Sequence, residues 1–492
     1  VVRAAVLVLG LVVVGALGGC VFYLNPSCSD QIKNGDETDI DCGGGCGKCE
    51  IGDSCKVAVD CEDSDCKGGT CTAFPCFNGQ LDVGETDVDC GGSTCRSCAG
   101  GQGCLVDRDC ASGTCEAGGT CKGYTSIAFD GGEVVPAGMK PYVALTADFD
   151  GDHRTDIAAC DELGDEIFVF LSPPTGMLQA PATFSLKEAG KFPGGVYPTG
   201  GAAVDVNHDG KPDIVTADYH GDAISVLLNL GDGRLGPPAS YPTFDKAETS
   251  NLAVGDFDDD GNVDVVATNP QVSPSVSVFL GRGDGTFAPA IDLPVGVAGM
   301  AEPYSVAVAD FNGDHHDDLA IADSRNGSVA VRLGNGDATF QPAIPYAIGG
   351  TSPYIIITAD LDGDGAADLA VANRKSDNVS VLLGRGDGTF KKPLLASTGP
   401  MTAPYSIAAD DFNQDGILDL VTGDYASTAG FAGQTASVLI GLGNGKFQPP
   451  VIVAGTPAYG VATGDFNGDG KPDFAAVNFT YLTMTVKLNT SR

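Results

Sequence analysis

A seven-bladed, all-β propeller of four-stranded blades, preceded by two small disulfide-rich modules, is the architecture this sequence predicts. Three observations carry that prediction. A nine-residue loop rich in aspartate recurs seven times between Asp148 and Asp473. Successive copies start 57, 51, 54, 50, 51 and 54 residues apart, with alternating Val, Ile, Ala and Leu between them. A period near 50 in β-type sequence belongs to a propeller rather than a helical solenoid. Sixteen of the 18 cysteines crowd between Cys28 and Cys121, ahead of the repeats.

The chain has 492 residues, room for one large domain and smaller ones, and a formal net charge of −38. Acidity of this size repels nucleic acid and anionic membrane surfaces, so neither is an expected partner. The acids are interleaved with apolar β-type stretches and form no long run, which argues for cation sites over a disordered tail.

Residues 1–20 read as an export signal or anchor. Arg3 is followed by an uncharged apolar stretch from Ala4 to Gly19. The tetrapeptide Leu17-Gly18-Gly19-Cys20 resembles a bacterial lipobox, and that resemblance implies lipidation of Cys20. The alternative is a single membrane helix, since the uncharged run continues to Leu24 and about 20 apolar residues span a bilayer. Both readings export the rest of the chain and place it at a bacterial outer membrane or cell surface, joined through a linker over 21–27.

Two cysteine-rich modules follow, at 28–71 and 76–121. Cys28, Cys42, Cys46, Cys49, Cys55, Cys61, Cys66 and Cys71 align with Cys76, Cys90, Cys95, Cys98, Cys104, Cys110, Cys115 and Cys121 at offsets of 48 to 50. Eight cysteines per module predict four internal disulfides of open connectivity, in units too small to hold a core without staples. Zinc is the weaker use, because these modules contain no histidine. The acidic stretch before Cys42 holds Glu37, Asp39 and Asp41; it reads as a solvated turn or as a further calcium site. The pattern resembles cysteine-rich repeats of surface proteins from predatory soil bacteria.

The seven loops carry the chemistry. Positions 1, 3, 5 and 9 are Asp or Asn in every copy. They are Asp148, Asp150, Asp152 and Asp156 in the first and Asp205, Asn207, Asp209 and Asp213 in the second. The third has Asp256, Asp258, Asp260 and Asp264, and the fourth Asp310, Asn312, Asp314 and Asp318. The fifth has Asp360, Asp362, Asp364 and Asp368, and the sixth Asp411, Asn413, Asp415 and Asp419. The seventh has Asp465, Asn467, Asp469 and Asp473. Alternate oxygen side chains on a tightly curled backbone converge on one point, and calcium takes six to eight oxygens. Position 6 is Gly in five copies and His153 or His315 in the others, where a weaker site is expected. Simple Asp-Gly hairpin turns are the competing reading, but seven sets of crowded carboxylates would repel without a cation. Seven Ca2+ ions would supply +14 and take −38 to −24.

These loops resemble those of FG-GAP or VCBS repeats, as in the integrin α-subunit propeller. The resemblance covers about 125–492 and implies a calcium-binding propeller; it leaves the ligand open.

The fourth repeat serves as a template for the blade. Tyr304–Ala309 is expected as the innermost strand, Leu319–Ala322 and Ser328–Leu333 as the next two, and Phe340 as the start of the fourth. The last repeat has only three such runs, so residues 126–135 are expected to supply its fourth strand and close the ring. Cys160, on a second strand, reads as a buried thiol.

Strand parity puts the Asp loops and the Gly-rich turns on one face. The two Arg-Gly-Asp triplets, Arg282–Asp284 and Arg385–Asp387, fall in those turns, and their arginines read as incidental. On the opposite face Tyr142, Tyr304, Tyr354, Tyr405 and Tyr459 stand six residues before their loops, with Thr199 and Ser250 in the remaining two blades. They read either as a ligand rim around the central opening or as a repeated packing residue. Insertions at 185–195, 295–301 and 427–434 open on the same face. A non-catalytic surface binding or adhesion protein with an unidentified protein or glycan ligand is the leading expectation. A calcium-dependent lectin or polysaccharide lyase and a structural envelope component are the alternatives. For a lyase, Lys187 or Lys191 in the first insertion would be the residues available. Four of the five histidines lie inside Asp loops, leaving His220, and no nucleophile motif appears.

Overall fold

The computed structural model describes residues 64–67, 70–73, 127–130, 132–172, 178–187, 195–244, 247–271, 274–295, 302–425, 435–456 and 458–491. Cys20, which the sequence predicts to be lipidated, most of both predicted cysteine-rich modules, Lys191 and the cores of the three insertions lie outside the described residues. The chain divides into two compact units, Val1–Cys98 with Gly103–Asp109, and Ala99–Gln102 with Cys110–Arg492. In the first, Ser64–Lys67 pairs antiparallel with Thr70–Ala73, and the register sets Cys66 opposite Cys71. Among the described residues no helix is long and apolar enough to cross a membrane.

The second unit is seven four-stranded antiparallel sheets. In blade 4, Pro303–Ala309, Asp318–Asp323, Ser328–Arg332 and Ile344–Ala347 pair in sequence order. The fourth strand starts later than expected at Phe340. That residue instead bridges Gly334 to close the turn, and Pro342, which has no N–H to donate, separates it from the strand. Ring closure follows the expected scheme: Glu133–Pro136 pairs antiparallel with Thr483–Lys487 as the outer strand of blade 7. Phe129 adds a bridge to Asn489.

The second strand of each blade is buried along its whole length, because both faces of the sheet meet a neighbouring blade. The period-2 alternation then divides the work. Leu319 and Ile321 pack with Val266 and Val276 of blade 3, whereas Ala320 and Ala322 face Ile356, Leu369 and Val371 of blade 5. At the seam between blades 4 and 5 small residues thus meet large ones, which lets the sheets interdigitate. Cys160 is one of these seam residues, fully buried and unpaired.

Candidate functional site

Each Asp loop is locked by its first and last residues. In the fourth loop, Asp310 Oδ1 accepts the N–H groups of Asn312 (3.2 Å), Gly313 (2.7 Å) and Asp314 (3.3 Å), and Oδ2 accepts that of His315 (2.8 Å). Asp318 is fully buried; its Oδ2 accepts from Phe311 (2.8 Å) and its Oδ1 from Gly334 (2.7 Å), the residue that opens the turn between strands three and four. All seven loops repeat the bond from position 9 to the backbone N–H two residues beyond strand three. The curl needs two left-handed residues. Position 4 has φ between 54° and 81°, and position 6 between 65° and 83°, in every copy. His153 and His315 keep this geometry. A Cβ meets no atom within 4 Å at the equivalent Gly210, Gly261, Gly365 and Gly470, so the histidines carry only a backbone cost of about 1–2 kcal/mol.

In three loops the result is a cluster of carboxylate oxygens. Among the described residues, Asp148, Asp150 and Asp156 bring carboxylate oxygens within 4.8 Å of one another; so do Asp256, Asp258 and Asp260, and Asp360, Asp362 and Asp368. The other four loops are those with Asn207, Asn312, Asn413 or Asn467 at position 3, where a carboxamide oxygen replaces one carboxylate. Burial, reinforced by neighbouring loop carboxylates, raises the acids at position 9 to about 6 for Asp156, Asp213, Asp264, Asp318 and Asp368, to about 7 for Asp473 and to about 8 for Asp419. Such excess negative potential around one point is what a hard divalent cation reverses.

The loops also tie the blades together. The position-2 side chains Phe149, Val206, Phe257, Phe311, Leu361, Phe412 and Phe466 are buried in the seams. The Gly-rich turn of the next blade docks on them: Gly233 donates to Phe149 O (3.1 Å), Ala338 to Phe257 O (2.7 Å), and Gly388 to Phe311 O (2.8 Å). Phe390 stacks edge-on against Phe311 at 5.4 Å. At the closure Phe129 takes that part, 5.8 Å from Phe412. The arginines of the two Arg-Gly-Asp triplets fold back onto the same turns, Arg282 donating to Phe287 O at 2.8 Å and Arg385 to Phe390 O.

On the opposite face the five tyrosines do not stand as an arc around an open mouth; they reach across the axis. The hydroxyls of Tyr142 and Tyr354, from blades 1 and 5, are 2.6 Å apart, and those of Tyr304 and Tyr354 are 2.5 Å apart. Tyr405 and Tyr459 stack at 4.3 Å, and Tyr142 and Tyr459 at 5.2 Å. Tyr425 and Phe479, which the sequence reading passed over, extend the cluster. The cause is local. The inner strands begin with Pro141, Pro303, Pro353 and Pro404, and the register shifts just after each, so a bulge re-aims the following residue. The Pro-Tyr pair was the signal in the sequence. Burial pushes Tyr142 and Tyr354 well above the ordinary phenol range. Beneath the cap lies a cavity of about 210 Å³ lined by Val143, Leu145, Ile407 and Val461 among others.

A second ring of polar groups also escaped the sequence reading. The second strands end in Asp161, Asp218, Asn269, Asp323, Asn373, Asp424 and Asn478, all buried. Asp424 accepts the hydroxyls of Thr422 (2.8 Å), Ser437 (2.5 Å) and Thr435 (3.3 Å), and burial holds it up at about 8. Its folded form therefore keeps a proton that the unfolded chain releases above the ordinary carboxylate range. The neutral acid's contribution is full below about pH 4 and is lost as pH rises through about 8. Asp424→Asn, the residue that blades 3, 5 and 7 use here, is expected to remove that slope and to stabilise the protein by about 2 kcal/mol at pH 8. Urea unfolding of both proteins at pH 5 and pH 8, at fixed calcium, checks this; an unchanged pH difference between them rules it out.

Lys187 is half-exposed and pairs with Asp165 at 3.4 Å. His220 sits between Tyr197 (4.4 Å) and Tyr219 (5.0 Å) as a stacked ring.

Comparison with known families matches residues 148–216, 205–267, 256–321, 310–371 and 360–422 to the FG-GAP-like repeat, and 457–478 to the FG-GAP repeat. No curated protein sequence matches the chain. Among solved structures, the BP39L lectin from Burkholderia pseudomallei is similar at 17% identity, covering 72% of this chain and 98% of that one, with a TM-score of 0.54. The structure of BBS1N in complex with ARL6DN is similar at 14% identity, covering 73% and 96%, with a TM-score of 0.50. Likeness at these identities is one of fold.

Proposed function

This chain belongs to the FG-GAP repeat proteins, and from that premise we propose that it is a calcium-rigidified, non-catalytic binding propeller, exported and anchored at a cell surface through its N-terminal segment. One observation carries the reading: the two faces of the ring have separate chemistry. The seven acidic loops share one face, and their buried acids and docked turns are committed to holding loop and blades together. Seven calcium ions bound there would act as scaffold. The other face carries the aromatic cap and the cations Arg325, Arg374 and Lys375, and it is where a ligand would meet the protein.

The tyrosines enter this reading as a floor rather than as free platforms, since Tyr354 and Tyr405 are buried. Ligand contact falls to the groups around them. A lectin is the second reading, favoured by hydroxyl, carboxylate and cationic side chains gathered beside aromatic rings.

The test is a defined glycan array probed with the intact chain, with calcium and with chelator. Saturable binding to a subset of glycans in calcium, lost on chelation, is the expected result. A folded, calcium-loaded protein that binds none of them removes the lectin reading and leaves a protein ligand or an envelope role.

A further inference from the structure

Between blades 4 and 5, on the face opposite the Asp loops, lies a cavity of about 550 Å³. Its walls come from equivalent parts of the two blades. The residues before each inner strand supply Glu302, Tyr304, Thr351, Ser352 and Tyr354; the turns after each second strand supply Ser324, Arg325, Arg374 and Lys375. Three cations meet here in a chain whose net charge is −38. The corresponding turn positions elsewhere are Glu162, Tyr219 with His220, Gln271, Tyr425 and Phe479, so the positive charge of these turns is confined to this seam.

One cation is already neutralised. Arg325 pairs with Glu302, whose other oxygen accepts the hydroxyl of Ser324 at 2.9 Å. Arg374 and Lys375 form no ion pair among the described residues. The Arg374 guanidinium lies 4.5 Å from the Tyr405 ring centroid and 5.9 Å from that of Tyr354. Stacking of this kind holds the planar fork in place, so less freedom is lost when it grips a carboxylate. Its backbone is pinned as well: Arg374 N–H donates to Ser352 O at 3.0 Å and Lys375 N–H to Thr351 O at 3.2 Å.

The rest of the lining selects the kind of anion. No aliphatic side chain is among the nine residues. A peptide acid would leave its apolar side chains unmatched there. Hydroxyls at Ser324, Thr351 and Ser352 and the Glu302 carboxylate suit a ligand that carries many hydroxyls of its own, and the Tyr304 ring adds a partly exposed aromatic wall. The volume is that of an ordinary ligand pocket.

We infer that this pocket binds a carboxylate-bearing sugar, with Arg374 and Lys375 gripping the carboxylate and Glu302, Ser324 and Thr351 meeting ring hydroxyls. The inference rests on the binding-protein reading above and names its ligand class.

Calorimetry of the intact calcium-loaded chain with trigalacturonate and with the neutral galactotriose tests it. Trigalacturonate is expected to bind at least about tenfold more tightly, and its affinity to fall as salt is raised. Arg374→Gln and Lys375→Ala are each expected to weaken it by about tenfold or more. Lys375 is exposed, so its variant tests the site even if Arg374→Gln loosens the aromatic cap. If trigalacturonate binds with the same affinity to both variants, or no better than galactotriose does, the pocket assignment is wrong. Binding of other glycans on the array then still supports the broader reading, whereas no glycan bound at all removes the lectin reading as well.

Discussion

Stripping calcium from the intact chain is expected to lower its melting temperature by about 15 °C or more. Three of the loops bring three carboxylate oxygens within 4.8 Å of one another, and the acid at position 9 of every loop has a raised proton affinity because burial and its neighbours disfavour a bare charge. A cation that binds only the folded state stabilises by RT ln(1 + [L]/Kd), about 2.7 kcal/mol per site at a hundredfold excess over Kd, so seven sites reach roughly 19 kcal/mol at most. A propeller of this size shifts by roughly 1–2 °C per kcal/mol, extrapolating from smaller domains. The loss should be cooperative, since five of the loops hold a turn of the next blade among the described residues. Melting curves in millimolar calcium and in excess chelator check this, with metal content expected near seven ions per chain. Superimposable curves would end the scaffold role of calcium.

Asp318→Ala is expected to be the most damaging single substitution of a loop residue of blade 4. It leaves the N–H groups of Phe311 and Gly334 buried without partners. Each orphaned donor costs about 1–3 kcal/mol, so roughly 4 kcal/mol is lost before any effect on calcium. Asp314→Ala is the contrast. Asp314 is exposed and its carboxylate accepts from His316 N–H at 3.0 Å and from the Asn312 amide at 2.8 Å, so its loss should show mainly as weaker calcium stabilisation. In chelator the Asp318 variant should still melt well below the parent and the Asp314 variant close to it. Equal melting of all three in chelator would show that position 9 is a ligand alone.

Much of this was legible in advance because it is periodic. Residues three, five and nine of a loop lie within seven residues of sequence, so a repeated oxygen pattern reports the same local curl each time. The second left-handed position was legible too, in Gly151, Gly313, Gly363 and Gly468, yet His208, Asp259 and Gln414 masked the periodicity. The polar ring ending the second strands was hidden differently: an Asp or Asn at a strand end looks like an ordinary turn signal, and only burial distinguishes it.

The sequence by itself determined the number of blades, the order of their strands, the closing strand from the N-terminal side and the sharing of one face by loops and Gly-rich turns. These follow from repeat period and strand parity, which are properties along the chain. Only the tertiary structure decided that Tyr142 and Tyr354, 212 residues apart, touch across the axis, and that Arg374 comes to lie on Tyr405 beside Lys375 and Glu302. Those contacts depend on the width of the closed ring and on the direction in which a bulge turns a side chain, and both are set between blades rather than within a repeat.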